Sequence, residues 1–226
     1  MLKAVIFDMD GVLVDSEPLH YKSNYITLKE NFGIELDYEY YKQFIGSTIA
    51  YMWKTIREHF HIVDCSAEEL EEINDRILKK LVETEGYPPV KGAAEFVRAL
   101  RKQGYKLAVA SSSKRFKIVE NLNSLGILDC FDVIVSGMEL ERPKPFPDIF
   151  LEAVKGLELS EKECIVIEDS ENGVKAAAAA GIPCAGFLNP NSGAQDLSQA
   201  DYLFEDFTSI DEGFLRMVHD HHFGEP

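Results

Sequence analysis

Residues 3–11 have the sequence KAVIFDMDG, and this stretch decides the fold class. The apolar run at 3–7 is short and continuous, which is typical of a strand buried on both faces of a parallel sheet. Two aspartates and a glycine follow it at once, and these residues favour a turn. The stretch therefore predicts a buried strand that ends in an acidic turn.

Similar apolar runs recur along the chain and predict five more strands. They lie at 106–110, 131–135, 164–167, 183–187 and 202–204. Helical patterns separate most of them, at 93–103, 114–125, 147–155 and 171–180. Gly181 and Pro183 predict the end of the last helix, because glycine adopts the left-handed cap conformation and proline cannot continue a helix. The alternation predicts βαβ units and an α/β fold with a Rossmann-like, doubly wound parallel sheet.

Residues 16–86 interrupt this alternation, with several helical patterns and no convincing strand. The clearest helix begins at Ser66, where the sequence SAEE matches a capping box and apolar residues follow at helical spacing. Gly86 and two prolines then mark the return to the sheet. We therefore predict an α/β core domain formed by residues 1–15 and 87–226, and an all-α helical cap domain at 16–86.

The composition excludes several classes of partner. The 226 residues include 23 Lys and Arg against 39 Asp and Glu, a formal net charge of −16. Such a chain is repelled by phosphate backbones, so we expect no nucleic acid partner, and no apolar run suggests contact with a membrane. The four cysteines form no CxxC pair, so we expect free thiols and a cytoplasmic location, and separately we expect a monomer. For the sequence HDHH at 219–222 we expect a frayed polar terminus rather than a zinc site.

Two acidic pairs follow predicted strands. Asp8 and Asp10 come after the first strand, and Glu168 and Asp169 come after the strand at 164–167. Each pair has a structural alternative, an Asp-Gly turn for the first and a helix N-cap for the second. Ligands bind at the carboxyl edge of an open parallel sheet, where these four carboxyl groups would converge. Hard oxygen ligands in this number predict a Mg²⁺ site.

A lysine and a serine cluster complete a candidate phosphoryl-transfer site. Lys144 lies between prolines in the sequence RPKPFP at 142–147, from which it could reach inward or remain exposed in a turn. The sequence SSSK at 111–114 joins a predicted strand to a helix N-terminus, which attracts anions, although a serine N-cap is the alternative. Together with the carboxylates, these groups indicate chemistry on a phosphate.

Four segments closely resemble motifs I to IV of the haloacid dehalogenase (HAD) superfamily. They are DMDGVLVDSEPLH at 8–20, ASSS at 110–113, PKPFPD at 143–148 and EDSENG at 168–173. They are most similar to the subgroup with a helical cap after motif I, which includes phosphosugar phosphatases and β-phosphoglucomutase. The resemblance covers nearly the whole chain and implies a HAD-type phosphoric monoester hydrolase.

The resemblance also implies a role for each residue of these motifs. Asp8 would be the nucleophile that forms an aspartyl phosphate, and Asp10 would be the general acid and base. Ser111 and Lys144 would bind the transferring phosphoryl group. Mg²⁺ would be held by Asp8, Asp10 through its backbone carbonyl, Glu168 and Asp169.

The substrate residues are also implied by the resemblance, which predicts binding by His20, Gly46, Ser47, Thr48, Ser112, Ser113 and Lys114. His20 could instead be a structural residue of its helix. At position 49 this chain has isoleucine, where the mutase pattern has an arginine, and the missing phosphate clamp disfavours a sugar bisphosphate. We therefore predict a Mg²⁺-dependent phosphatase of small phosphosugar-like monoesters. The alternative is a β-phosphoglucomutase, which converts β-glucose 1-phosphate to glucose 6-phosphate through the bisphosphate.

Overall fold

The computed structural model describes residues 1–45 and 47–224, and these residues form two compact units. The α/β unit contains Met1–Asp15, Pro89–Pro190 and the chain from Gln195 onward. The helical unit contains the described residues of Ser16–Pro88 together with Asn191–Ala194. The sequence does not predict that this last short segment groups with the helices.

The regular elements are numbered along the chain. The strands are β1 Ala4–Phe7, β2 Lys106–Ser111, β3 Val133–Ser136, β4 Cys164–Glu168, β5 Cys184–Phe187 and β6 Tyr202–Phe204. The α-helices within the described residues are α1 Glu17–Phe32, α2 Tyr38–Tyr41, α3 Ile49–His59, α4 Ala67–Glu85, α5 Ala93–Lys102, α6 Arg115–Ser124, α7 Asp148–Gly156, α8 Glu171–Ala180 and α9 Glu212–Phe223. None of these helices is both long enough and apolar enough to cross a bilayer.

The six strands form one sheet in the order β3-β2-β1-β4-β5-β6, and every neighbouring pair is parallel. Val5 of β1 lies opposite Leu107 on one side and Ile165 on the other. The predicted fold class, a doubly wound parallel sheet with inserted helices, is confirmed. The order reverses between β1 and β4, and ligands bind in such sheets at the carboxyl ends of the strands beside this reversal.

Burial explains why the strands read as apolar runs. All four residues of β1 are fully buried, as expected for a strand covered by helices on both faces. One core cluster joins β1 and β4 to α7 and α8 through residues such as Ile6, Phe150 and Val166. Gly181 ends α8 in the left-handed conformation, with φ +70°, as the sequence predicts.

The chain end corrects one expectation. The helix α9 continues through Phe223, and Leu215, Val218 and His219 are buried on the face that contacts β4 and β5. The Nε2 atom of His219 lies 2.9 Å from the carbonyl oxygen of Lys162. The prediction of a frayed terminus is wrong, because these three residues are spaced to share one buried helix face.

The helical unit has its own apolar core. Leu28 of α1, Trp53 and Ile56 of α3, and Leu70 of α4 are buried together in one cluster. The predicted capping box is present at the start of α4. Ser66 Oγ accepts a hydrogen bond from the Glu69 N–H at 3.1 Å, and the Glu69 carboxylate accepts one from the Ser66 N–H at 2.7 Å.

Candidate active site

Three adjacent strands of the α/β unit end at one cluster of polar side chains. Asp8 follows β1 directly, Ser111 is the last residue of β2, and Glu168 is the last residue of β4. Because β1 lies between β2 and β4, these three strand ends are neighbours. Lys144 enters the same cluster from the segment between β3 and α7.

Lys144 is the centre of the cluster. Its Nζ atom lies 2.6 Å from Asp8 Oδ1, 2.6 Å from Glu168 Oε1 and 3.1 Å from the Ala110 carbonyl oxygen. The side chain is only 6% exposed, so the alternative of a solvent-exposed lysine is wrong. All three donors of the ammonium face acceptors, which is the condition for burying such a charge.

The surrounding charges change the pKa of both partners of this ion pair. Burial raises the pKa of the Asp8 carboxyl well above its usual value, Lys144 acts in the opposite direction, and the neighbouring carboxylates raise it further. Burial acts to lower the pKa of the Lys144 ammonium, but the charges of Asp8 and Glu168 outweigh it and raise the pKa. The site therefore holds more negative charge than one lysine can balance.

The carboxylates of Asp8, Glu168 and Asp169 fit a divalent cation. All three residues are buried, and each offers one oxygen atom within 4.8 Å of the others. One ammonium leaves two negative charges uncompensated when all three carboxyls are ionised. Hard oxygen donors that carry this excess charge match the ligands that Mg²⁺ and Ca²⁺ prefer.

Glu168 is held by hydrogen bonds on its second oxygen. Glu168 Oε2 accepts hydrogen bonds from the N–H groups of Asp169 and Ser170 and from Ser170 Oγ, each at 2.9 Å. Ser170 Oγ in turn accepts one from the Gly173 N–H at 3.1 Å, so Ser170 is the N-cap of α8. The N-cap role that the sequence left open thus belongs to Ser170, whereas Asp169 is one of the three carboxylates that could share a cation.

The Asp10 carboxylate is hydrogen-bonded to the serine cluster. Asp10 Oδ2 accepts hydrogen bonds from Ser113 Oγ at 2.9 Å and, more weakly, from Ser111 Oγ at 3.4 Å. Ser111 Oγ also accepts one from the Ser113 N–H at 3.0 Å. The Asp10 side chain is thus held by serines and is not one of the three carboxylates that could share a cation. Binding of a metal by its backbone carbonyl stays a prediction.

Two glycines allow this close packing, and the sequence analysis missed that role. A Cβ atom on Gly11, which has φ +83°, would lie 2.0 Å from Asp169 Oδ2. A Cβ atom on Gly173 would lie 1.8 Å from Glu168 Oε1. Any other residue at either position would displace a carboxylate.

The family model of the haloacid dehalogenase-like hydrolases matches residues 5–187. The chain belongs to this family. Together with the phosphatases among its relatives, this match confirms the predicted class, a phosphoric monoester hydrolase.

Individual members of the family resemble the chain to different extents. It is 38% identical over 188 residues to Protein SUPPRESSOR OF QUENCHING 1, chloroplastic, of Arabidopsis thaliana, with 81% of this chain matched but only 17% of that much longer protein. It is 33% identical over 184 residues to Phosphorylated carbohydrates phosphatase of Thermotoga maritima, with 80% and 82% covered. Among solved structures, β-phosphoglucomutase from Clostridium difficile has a TM-score of 0.74 and 25% identity, and each chain is covered completely.

The substrate residues predicted for this haloacid dehalogenase-like hydrolase lie in both units. In the α/β unit, Ser112 is exposed, Ser113 is partly buried, and Lys114 is the exposed N-cap of α6. These three residues line the start of a helix whose free N–H groups favour anions.

In the helical unit, His20 lies in the first turn of α1, Ser47 is exposed, and Thr48 is the N-cap of α3, where its hydroxyl accepts a hydrogen bond from the Tyr51 N–H at 3.3 Å. Ile49 begins α3 and is 51% exposed. Gly46 lies outside the described residues.

Proposed function

We propose that the chain is a Mg²⁺-dependent phosphatase that hydrolyses small phosphosugar-like monoesters through an aspartyl phosphate on Asp8. The observation that carries this proposal is the buried Lys144 ammonium between Asp8 and Glu168, beside Asp169. Such a group of buried charges stabilises a fold no better than apolar residues of the same volume would, so chemistry is the better explanation of its presence. The substrate class is supported by the Thermotoga maritima relative, which is named Phosphorylated carbohydrates phosphatase.

In the first step, one carboxylate oxygen of Asp8 attacks the phosphorus atom of the ester. The new Asp8 oxygen–phosphorus bond forms as the bond from phosphorus to the sugar oxygen breaks. The leaving alkoxide takes the proton of Asp10, which acts as general acid. Lys144 and Ser111 stabilise the charge on the transferring phosphoryl oxygens.

In the second step, Asp10 acts as general base and takes a proton from a water molecule. The water oxygen attacks phosphorus, the bond to Asp8 breaks, and inorganic phosphate leaves. The first step needs Asp8 to be ionised when it attacks, and the second step releases it again as a carboxylate. Asp8, Glu168 and Asp169 would hold Mg²⁺, with the Asp10 carbonyl as a further ligand, and the ion would favour the ionised carboxylates and neutralise phosphoryl charge.

The mutase is the second candidate because the Clostridium difficile β-phosphoglucomutase aligns with the whole chain. It requires a second phosphate to be held while the first is transferred. Ser113 and Lys114 offer donors for this purpose, but Ile49 carries no charge and faces solvent over half of its surface. We favour the phosphatase, because a site with isoleucine in place of the arginine has one cation fewer and binds a bisphosphate more weakly.

The proposal extends to the partners and the location of the chain. We infer that its partner is a small phosphorylated sugar, taken up by His20, Gly46, Ser47, Thr48, Ser112, Ser113 and Lys114. We also infer that it acts as a cytoplasmic monomer. The four cysteines are free thiols, which is compatible with a reducing compartment.

The Asp8→Asn variant tests the proposal. We expect it to lose phosphate release from sugar phosphates by more than ~1,000-fold, because an amide oxygen does not replace the nucleophile. The measurement is inorganic phosphate release with Mg²⁺ and with a chelator, over a panel that includes glucose 6-phosphate and β-glucose 1-phosphate. Mass spectrometry of acid-quenched protein should detect phosphate on the wild type and not on the variant.

A matched control is Asp211→Asn, the same change at the N-cap of α9. It should keep the wild-type rate, since asparagine also caps helices. Full activity of Asp8→Asn would refute the nucleophile assignment. Formation of glucose 6-phosphate from β-glucose 1-phosphate, dependent on a trace of the bisphosphate, would favour the mutase instead.

A further inference from the structure

Asn189 is a buried residue that connects the end of β5 to the turn after β1. It lies two residues beyond Phe187, the last residue of β5, and is 9% exposed. Its backbone N–H donates to the Phe187 carbonyl at 3.0 Å, which fixes the backbone. Its side-chain Nδ2 donates to the Gly11 carbonyl at 2.8 Å.

Gly11, which accepts this hydrogen bond, is the glycine that packs against the Asp169 carboxylate. The Gly11 backbone lies so close to Asp169 that a Cβ atom there would stand 2.0 Å from Asp169 Oδ2. The Gly11 N–H also donates to the Val14 carbonyl at 2.7 Å, which closes the turn. Any shift of this turn therefore changes the space left for the Asp169 carboxylate.

The strand order shows which strand ends this hydrogen bond connects. Because β4 lies between β1 and β5, a bond from Asn189 to Gly11 spans the end of β4, where Asp169 lies. Three strand ends are thus connected, and the two that carry Asp8 and Asp169 are held at a fixed separation. A neutral amide suits this place, because the acceptor is a carbonyl and a further carboxylate would lie close to Asp169.

We propose that Asn189 is a positioning residue for the metal site, which holds the Asp8 turn against Asp169 so that both carboxylates reach one cation. This inference rests on the proposed function, since it assumes that these carboxylates bind Mg²⁺. Residues that orient metal ligands change metal affinity by about 10- to 100-fold when they are replaced.

The test is the affinity of the full chain for Mg²⁺ in the absence of substrate, measured by isothermal titration calorimetry. We expect the dissociation constant to rise about 10-fold in Asn189→Ala and in Asn189→Leu, which keeps much of the side-chain volume and loses the donor without adding charge. The titrations are made at a temperature at which thermal unfolding curves show each variant to be folded. In activity assays, the Mg²⁺ concentration for half-maximal rate should rise in parallel.

Asn121→Ala is the matched control. Asn121 is also buried in the α/β unit, and its Nδ2 atom lies 3.8 Å from the Met9 Sδ atom, so it contacts the turn segment through a side chain alone. This variant should unfold at a lower temperature and bind Mg²⁺ like the wild type. An equal loss of Mg²⁺ affinity in Asn121→Ala would overturn the inference, because any buried change would then weaken the site.

The outcomes separate this inference from the proposed function. If the wild type binds Mg²⁺ and both Asn189 variants bind it equally well, the positioning role is refuted and the phosphatase proposal stands. If the wild type does not bind Mg²⁺, the proposed function itself fails. If neither Asn189 variant folds, the residue serves stability and the inference is overturned.

Discussion

Both units bury neutral polar side chains, but among the described residues only the α/β unit also buries an ion pair. In the α/β unit the buried group contains Asp8, Lys144 and Glu168. Among the described residues of the helical unit, the buried polar ones are Ser16 just before α1, Ser23, Asn24 and Thr27 of α1, and Asn74 of α4. The hydroxyls of Ser23 and Thr27 donate to carbonyls of their own helix, at 2.9 and 2.8 Å.

This difference distinguishes the buried polar side chains of a functional site from those that only pack between helices. A hydroxyl that bonds to its own helix satisfies its donor locally, so it can be buried between helices at little cost. A buried ion pair requires desolvation of both partners, and apolar residues of the same volume are often as stabilising or more so. The charges of the α/β unit are therefore best explained by chemistry, whereas the polar residues between α1 and α4 need no such explanation.

The largest expected effect comes from Lys144→Met, which keeps much of the side-chain volume and removes the charge. Asp8 and Glu168 would then be buried without a counter-charge, and we expect the free energy of unfolding to fall by about 3 kcal/mol. Denaturant unfolding in a chelating buffer measures this loss. Phosphate release should also be lost, because the transferring phosphoryl group loses a cation.

A second substitution sharpens the comparison. In the double variant Lys144→Met, Glu168→Gln, one of the carboxylates that lost their counter-charge is neutral, so part of the stability should return. The difference between the double variant and the two single variants gives the interaction energy of the pair. A Lys144→Met protein as stable as the wild type would show that these charges are not buried as described.

The sequence predicts the charged group well because parallel strands align their carboxyl ends. Asp8, Ser111 and Glu168 each end a strand, so their proximity follows once the strands are recognised. The first residue of a strand is harder to predict when an apolar residue just before the strand packs against another side chain. The prediction began the third strand at residue 131, but Phe131 packs edge-on against Phe7, with ring centroids 6.0 Å apart, and β3 begins at Val133.

Contacts between distant segments escape the sequence analysis for a different reason. Asn189 and Gly11 are 178 residues apart, and a single asparagine after a strand has no periodicity or motif to identify its partner. The sequence did not predict the burial of His219, because the end of α9 is rich in histidine and therefore polar in composition. A pattern of residue types indicates an element, but it does not indicate which tertiary hydrogen bond a lone polar side chain makes.

A smaller effect is expected in the helical unit from Thr27→Val. Thr27 Oγ1 lies 2.8 Å from the Ser23 carbonyl oxygen and 3.3 Å from Asn74 Oδ1. Removal of the hydroxyl takes away the single hydrogen that these two acceptors share, and we expect a loss of about 1–2 kcal/mol in unfolding free energy. Thermal or denaturant unfolding measures it, and kcat/KM of the folded protein should not change.

The double variant Thr27→Val, Asn74→Leu completes this test. It replaces both partners by apolar groups, which is often nearly neutral, so most of the lost stability should return. If the double variant is instead less stable than either single variant, the polar residues between α1 and α4 form a network that the fold needs. The contrast with the charged group of the α/β unit would then be refuted.

The smallest effect is expected from a charge pair at the surface. Glu163 Oε1 lies 2.6 Å from Lys3 Nζ, and Glu163 Oε2 accepts hydrogen bonds from Ser160. Lys3 and the Ser160 donors lower the pKa of the Glu163 carboxyl to about 2, against an ordinary value of 4.5. Because the pKa is lowered on folding, the carboxylate stabilises the fold above about pH 4.5, and this contribution disappears as the pH falls toward 2.

Glu163→Gln should therefore lower the unfolding temperature slightly at pH 7, and the difference from the wild type should shrink between pH 4.5 and pH 2. The effect is small because solvent screens an exposed pair. Glu205→Gln, at an exposed glutamate of the same unit, is the control and should show no such convergence. A difference as large as that of Lys144→Met would mean that burial does not decide what a charge contributes, since Lys3 is 54% exposed and Lys144 is 6% exposed.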